Sequence, residues 1–398
     1  MSEKDKDIAA TNRLLEVIRG KGDLESSPVD REPPQQEGVE PEGPPIREKK
    51  KAPSSFSLFS SKTVGLDIGS HSVKCVQLEK RGMAAYRLLS VGVLEILPEG
   101  INLEEDPRKA IISAIRKSIE GINLKRTPII TAIGGVSTAI RQIELPFMTE
   151  KELASAIKWE ARNYIPFDIN DVELDYQIIN TSKASNKLNI ILVSIIKDFV
   201  RYHLDLLREV PIDPQIIDVN PLALVNAVLF NEEIERDEFV VLMDIGDKNT
   251  TLSVYSEEGQ YFVRNIMISG NDFTDDIMRG NGLSYADAEK FKRNEDSVGL
   301  IETIKPSLDN LVREVRRSLT FYENQAKIKG FSKIFLTGGS APLKGLDDYL
   351  STELGLPVTI LNPFSKIKVE KTSLLSPFGN DLCTLALAVG LAIRGVNG

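Results

Sequence analysis

The chain has 398 residues, enough for two large domains at ~100 to 200 residues each. Its 41% hydrophobic and 27% charged content is ordinary globular usage and excludes a wholly disordered, fibrous or collagen-like chain. A formal net charge of -9 argues against non-specific nucleic-acid binding, and only two cysteines, Cys75 and Cys383, far apart and each inside an apolar stretch, exclude a disulfide framework or a Cys-based zinc site.

His71 and His203 are the only histidines, so neither a Ser-His-Asp triad nor a histidine metal centre can be assembled. His71, in a turn beside Ser70, is either near a phosphate or a solvent-facing loop residue. No basic segment followed by an apolar run opens the chain, and a reducing cytoplasm is the expected compartment.

In chain order, residues 1–62 hold seven of the 20 prolines and few apolar residues between Gly20 and Lys51, which predicts a disordered tail. Inside it, IAATNRLLEVIRG puts Ile8, Leu15 and Ile18 on one side, either a fraying helix or a docking helix for a partner. From Thr63 the runs TVGLDIG, SVKCVQLEK and AAYRLLSVGVLEI predict a β-meander. The helix DPRKAIISAIRKSIEGI and the strand TPIITAIGG follow, so the domain is α/β.

Next, KELASAIKWEARNYIPF predicts an amphipathic helix with Leu153, Ile157 and Ala161 on one face, stopped at Pro166. Trp159 and Tyr164 are open to two readings, core or binding surface. Between Ser269 and Lys329 the pattern turns helical, predicting an inserted lobe. FSKIFLTGG then restores a strand, with a helix LKGLDDYLSTELG close behind it. LCTLALAVGLAI, 12 residues long, is short of the ~20 that span a bilayer and is expected as a buried helix.

The most informative feature is an echo. VGLDIGS, with Asp67, recurs as VLMDIGD, with Asp244, 244 − 67 = 177 residues later, each followed by a polar turn and a second strand. A duplicated domain with two halves facing a cleft is the expected architecture. A strand ending in Asp-x-Gly and a tight turn sets a carboxylate beside backbone N–H groups that can cradle phosphate. In the first copy Gly69 allows close approach, Ser70 and Ser72 supply hydroxyls, and Lys74 supplies a cation. In the second, Gly246, Asn249, Thr250 and Thr251 supply turn and donors but no cation.

Asp67 and Asp244 together are two hard oxygen ligands suited to Mg²⁺ held largely through water, or separately two turn-capping aspartates. A third loop, Gly338, Gly339 and Ser340 in LTGGSAPLKGL, offers backbone against which a flat ligand can lie. Glu289 and Lys292, three apart in AEKFK, hold a ribose or adenine or else form a solvated pair. Asp218 is either a base or water-positioning residue or a cap for the following helix.

Two hairpins, AEKFK and LTGGSAPLKGL occur in the order seen in the actin, Hsp70 and sugar-kinase superfamily, and within it the chain resembles the PilM family of type IV pilus assembly. EKELASAIKWEARNYIPFDINDVELDYQII is similar to that family's small inserted subdomain, and IIDVNPLALVNAV to its inter-domain connection. The resemblance starts near Thr63 and leaves the tail unaccounted for.

It implies an α/β fold of actin-like, duplicated ribonuclease-H-like domains around a nucleotide cleft. The expected divisions are a first domain at 63–133 and 188–237, interrupted by an insert at 134–187. A second domain follows at 238–268 and 330–375, interrupted by the helical lobe at 269–329, with a C-terminal helix at 376–398. It further implies ATP and Mg²⁺ as cofactors, possible slow ATPase activity, and a PilN-type inner-membrane protein bound through its cytoplasmic N-terminal peptide. Other pilus assembly components, including the motor-associated platform, and self-association follow as further partner expectations, with no nucleic acid and no direct membrane insertion. The expected location is cytoplasmic, peripheral to the inner membrane. A small-molecule kinase and an FtsA-type cell-division protein are the alternatives.

Overall fold

The computed structural model describes residues 61–82, 85–96, 107–182, 186–294 and 298–397; the predicted tail up to residue 60 and its helix lie outside these. The described residues open with β1 (Lys62–Ile68), β2 (Ser72–Arg81) and β3 (Ala85–Glu95), then α1 (Pro107–Ser118) and β4 (Ile129–Ile133). β5 (Thr138–Pro146), α2 (Glu150–Glu160), β6 (Val172–Ser182) and β7 (Lys187–Ile196) follow, leading to α3 (Lys197–Arg208), β8 (Ile216–Val219) and α4 (Asn220–Asn231). The second half holds β9 (Phe239–Ile245), β10 (Thr250–Ser256), β11 (Tyr261–Ile266), α5 (Gly270–Asn281), α6 (Tyr285–Arg293) and α7 (Leu300–Ala326). It continues with β12 (Lys333–Thr337), α8 (Leu346–Leu354), β13 (Val358–Ile360), β14 (Ile367–Lys368) and α9 (Ala386–Asn397).

The two large sheets repeat one topology. β3-β2-β1-β4-β8 and β11-β10-β9-β12-β13 each join an antiparallel meander to two parallel strands. The central strands are continuous apolar runs, VGL before Asp67 and VVLM before Asp244, as strands covered on both faces must be. β14 departs from the expected division, which gave 330–375 to the second half. It leaves that half and pairs with β3 at the edge of the first sheet.

The insert is a separate antiparallel sheet, β5-β7-β6, under α2. The expected boundary at residue 187 falls where β7 begins. Because β7 is the central strand, paired with both β5 and β6, the insert extends to Ile196. A capping box between Thr149 and Glu152 starts α2, and Leu153, Ile157 and Ala161 bury against Leu188, Ile190 and Leu192 as the spacing predicts. The opposite face leaves Trp159 68% exposed, with the Arg162 guanidinium 4.2 Å above its ring.

α9 is the core of the first half. Ala388, Val389, Leu391 and Ala392 are fully buried, and a Cβ on Gly65 or Gly390 would lie 1.9 Å from the Ala388 or Ala223 carbonyl oxygen. Backbone therefore touches backbone on both sides of this helix, against β1 and against α4. Among the described residues, the stretch Ser376–Gly395 is long and apolar enough to cross a membrane by length and composition, and its α-helical part is sealed between β1, β4 and α4.

Candidate functional site

Each sheet carries the same turn at the end of its central strand. Gly69 N–H donates to the Ser72 carbonyl at 3.1 Å, and 177 residues on, Gly246 N–H donates to the Asn249 carbonyl at 3.1 Å. In the first hairpin Asp67 sits opposite Lys74, whose Nζ is 3.2 Å from Asp67 Oδ2. In the second, Asp244 sits opposite Thr251. A Cβ on Gly69 or Gly246 would lie 3.0 Å from the carbonyl that closes its turn, so both tips are held to bare backbone.

The two hairpins meet electrostatically. The Asp244 carboxyl is pushed up to about 6, first by burial and then by the Asp67 charge, with Lys74 acting in the opposite sense. Asp244 keeps some accessible surface, yet protein atoms surround it closely enough that desolvation dominates. The first cradle is therefore a carboxylate-lysine pair, and the second is a carboxyl that burial and the Asp67 charge make easier to protonate. Among the described residues no group of three or more His, Cys, Asp or Glu side chains is placed to hold a metal. Asp67 and Asp244 are the carboxylates at these turns, a chemistry that would fit a divalent cation keeping most of its waters.

Gly338 ends β12 beside Asp244 with φ +96, and a Cβ there would lie 2.4 Å from Asp244 Oδ1. Gly339 is the reverse case, with nothing within 4 Å of its Cβ position. Its open side is the part of the loop available to a ligand. The predicted helix behind the loop begins later than expected, at Leu346, after a series of turns. Ser340 is buried, its N–H bonded to the Ile245 carbonyl at 3.1 Å, so it holds the loop down.

Three further expected contacts turn inward. Thr250 is fully buried and its hydroxyl donates to the Ile268 carbonyl at 2.6 Å. Lys292 spends its three donors on the Gly270 carbonyl, Thr274 Oγ1 and Glu289 Oε1, which makes it a brace between α5 and α6. Burial pulls its ammonium below the usual range, against the Glu289 carboxylate. Glu289 also accepts from Thr274, so neither member is the solvated pair weighed from spacing alone.

Asp218 is completely buried, its Oδ2 3.0 Å from Arg394 Nε and its Oδ1 accepting from the Val219 N–H. This is the counter-ion of a buried arginine and offers no face to a substrate, which corrects its reading as a candidate base. Ser70 is exposed at the first tip, Ser72 is buried, and Asn249 is half-buried and donates to Thr251 Oγ1 at 3.2 Å.

Sequence reasoning did not single out Arg293 or the pair Gly134-Gly135 as site residues. Arg293 follows AEKFK directly and reaches the first hairpin, 2.5 Å from His71 Nε2 and 3.1 Å from Glu95 Oε1. The glycine pair carried a usable signal. It ends β4, which lies beside β1 as β12 lies beside β9, so it is the first-half counterpart of Gly338-Gly339.

A solved structure of a PilM-PilN type IV pilus biogenesis complex aligns with this chain at 28% identity and a TM-score of 0.71, over 84% of this chain and 98% of that one. The ethanolamine utilization protein EutJ from Carboxydothermus hydrogenoformans shares the fold, with a TM-score of 0.50 at 12% identity over 84% of this chain and 89% of its own. The duplicated architecture is the actin-like one. Residues 65–396, from the first hairpin to the end of α9, match the family described as type IV pilus assembly protein PilM, and the chain belongs to that family.

Proposed function

We propose that the chain is a nucleotide-dependent scaffold of the type IV pilus assembly platform. In this reading it binds Mg-ATP between its two hairpins and the cytoplasmic N-terminal peptide of a PilN-type inner-membrane protein on its insert. The observation that carries the reading is the electrostatic meeting of Asp67, Lys74 and Asp244 at two equivalent turns. Family membership and likeness to a PilM-PilN complex support the partner.

In this reading Lys74 and the turn N–H groups neutralise phosphate oxygens, and Asp67 and Asp244 orient the waters of the metal ion. The open face of Gly339 receives the base. When bound, the nucleotide would offer phosphate oxygens to Lys74 and the N–H groups of both turns, and the angle between the halves would then set the seat of the insert. The chain is then cytoplasmic and reaches the inner membrane through its partner.

A small-molecule kinase of the same fold needs a carboxylate base facing an open pocket, and Asp218 is sealed. An FtsA-type membrane helix has no counterpart among the described residues, where α9 is the core of the first half.

Calorimetry tests the site. Asp67→Ala and Asp244→Ala are expected to weaken Mg-ATP binding by ~10-fold or more, and parental affinity in both variants would make them turn caps. Capture of a PilN-type N-terminal peptide with and without Mg-ATP tests the switch, and equal capture in both conditions would remove the nucleotide dependence.

A further inference from the structure

The β4–β5 loop is a three-way junction. The Gly135 carbonyl accepts from Thr138 Oγ1 at 2.9 Å, at the first residue of β5, and from Asn265 Nδ2 at 2.9 Å, on the second half. Asn265 Oδ1 in turn accepts from Thr251 Oγ1 at 3.1 Å, and Thr251 accepts from Asn249 Nδ2 at 3.2 Å. An unbroken hydrogen-bonded chain therefore runs from the tip of the second hairpin, across β11, to the root of the insert. Both glycines at the junction are forced. Gly135 has φ +77, and a Cβ on Gly134 would lie 2.4 Å from the Asn220 amide, at the start of α4.

A second stitch lies along β5. Gln142 Nε2 donates to the Gly259 carbonyl at 3.3 Å, and its Oε1 accepts from the Tyr261 N–H at 2.8 Å. The insert belongs by sequence to the first half but is fastened at two points to the second. A change in the angle between the halves has to move β5 or break these bonds.

We propose that Asn265, with Gln142, is a positioning residue that couples occupancy of the second hairpin to the seating of the insert, and so to its hold on a partner peptide. The proposal rests on the reading of the cleft as a nucleotide site and of the insert as a peptide site. Asn265 touches neither ligand in that reading. Its effect belongs to the coupling between the two sites, a free energy separate from either affinity.

The test uses the full chain and Asn265→Ala, with Gln142→Ala as a second variant and Arg264→Ala as control. Arg264 neighbours Asn265 on β11 but pairs with Glu314 of α7, away from the junction. Amide exchange across residues 138–146 and affinity for a PilN-type N-terminal peptide are both measured with and without Mg-ATP. In the parent and in Arg264→Ala, Mg-ATP is expected to change β5 exchange and to shift peptide affinity by ~5-fold or more. In Asn265→Ala and Gln142→Ala both responses should fall toward one, while ATP affinity stays within about twofold of the parent, a difference too small to reflect a lost contact.

Loss of the β5 response in these variants supports the coupling even for a peptide that fails to bind. Full retention of the responses overturns it. A parent that binds ATP with no change at β5 also overturns it and leaves the nucleotide site standing. A parent that does not bind ATP removes the nucleotide reading and the coupling together.

Discussion

At the scale of single residues, the cleft is built by glycines with opposite obligations. Gly338 cannot carry a Cβ, because its φ is left-handed and the carbon would collide with Asp244 and the Ile245 carbonyl. Gly338→Ala is expected to cost ~1 to 3 kcal/mol in a denaturant titration. Gly339→Ala meets no atom and should leave stability unchanged, while Mg-ATP affinity in calorimetry falls for a base lying against that face.

His203 offers a pH test. Burial pulls its imidazole down to about 4, and its Nε2 is 3.0 Å from Thr131 Oγ1. A lowered folded pKa means that the unfolded chain binds the proton first. The stability held above the unfolded value of ~6.5 is lost as pH falls toward 4, about 3 kcal/mol in all. His203→Gln should flatten that part of the stability profile, and an unchanged slope would assign the acid sensitivity elsewhere.

At the scale of elements, α9 joins parts that are distant in sequence. Arg394 pairs with Asp218 at the end of β8, and its charge also reaches Asp175 on β6 of the insert. Removing one partner of a sealed pair strands the other, so Arg394→Leu is expected to cost ~3 to 5 kcal/mol by chemical denaturation.

Asp175 is pushed up to about 7, first by burial, with its bond from the Tyr176 N–H and the Arg394 charge opposing. For a carboxyl raised on folding, the folded chain holds the proton more tightly, so its contribution weakens as pH rises from the unfolded ~3.9 through 7. Asp175→Asn should remove that slope. Stability of this variant that still declines between pH 4 and 7 by the parental amount would show that Asp175 is not its source.

At the scale of the whole molecule, the last helix completes the first domain. The Thr63 hydroxyl donates to the Ala392 carbonyl at 2.6 Å across 329 residues, and α9 packs on β1, β2, β4 and α4. Such contacts are the most sequence-distant kind, and they must offset the entropy of closing a loop of that length. A chain ending at Leu385 keeps Asp67, Lys74, Asp244 and Gly338 but is expected not to fold, as judged by near-UV circular dichroism and solubility. A soluble truncation that still bound Mg-ATP would show that the cleft stands without this helix.

What the sequence determined by itself is local or repeated. The first hairpin's strands and turn follow from two neighbouring apolar runs and the turn chemistry between them, whereas the Asp67–Lys74 contact was not foreseen, because Lys74 reads in sequence as a phosphate partner. The 177-residue echo then implies the second hairpin and the paired sheets. The helical period of α2 places Leu153, Ile157 and Ala161 inward in the same way.

The tertiary structure decided everything that depends on which distant segments meet. Asp218 reads as a site residue until Arg394, 394 − 218 = 176 residues away, closes over it. Lys292 is a cation on a helix until the Gly270 carbonyl and Thr274 take its donors. Trp159 is core or surface until the sheet beneath α2 is complete and leaves it outside. Burial and hydrogen-bond satisfaction belong to the assembled chain. No local pattern encodes that Gly135, at the root of the insert, will accept a bond from Asn265 on the opposite half.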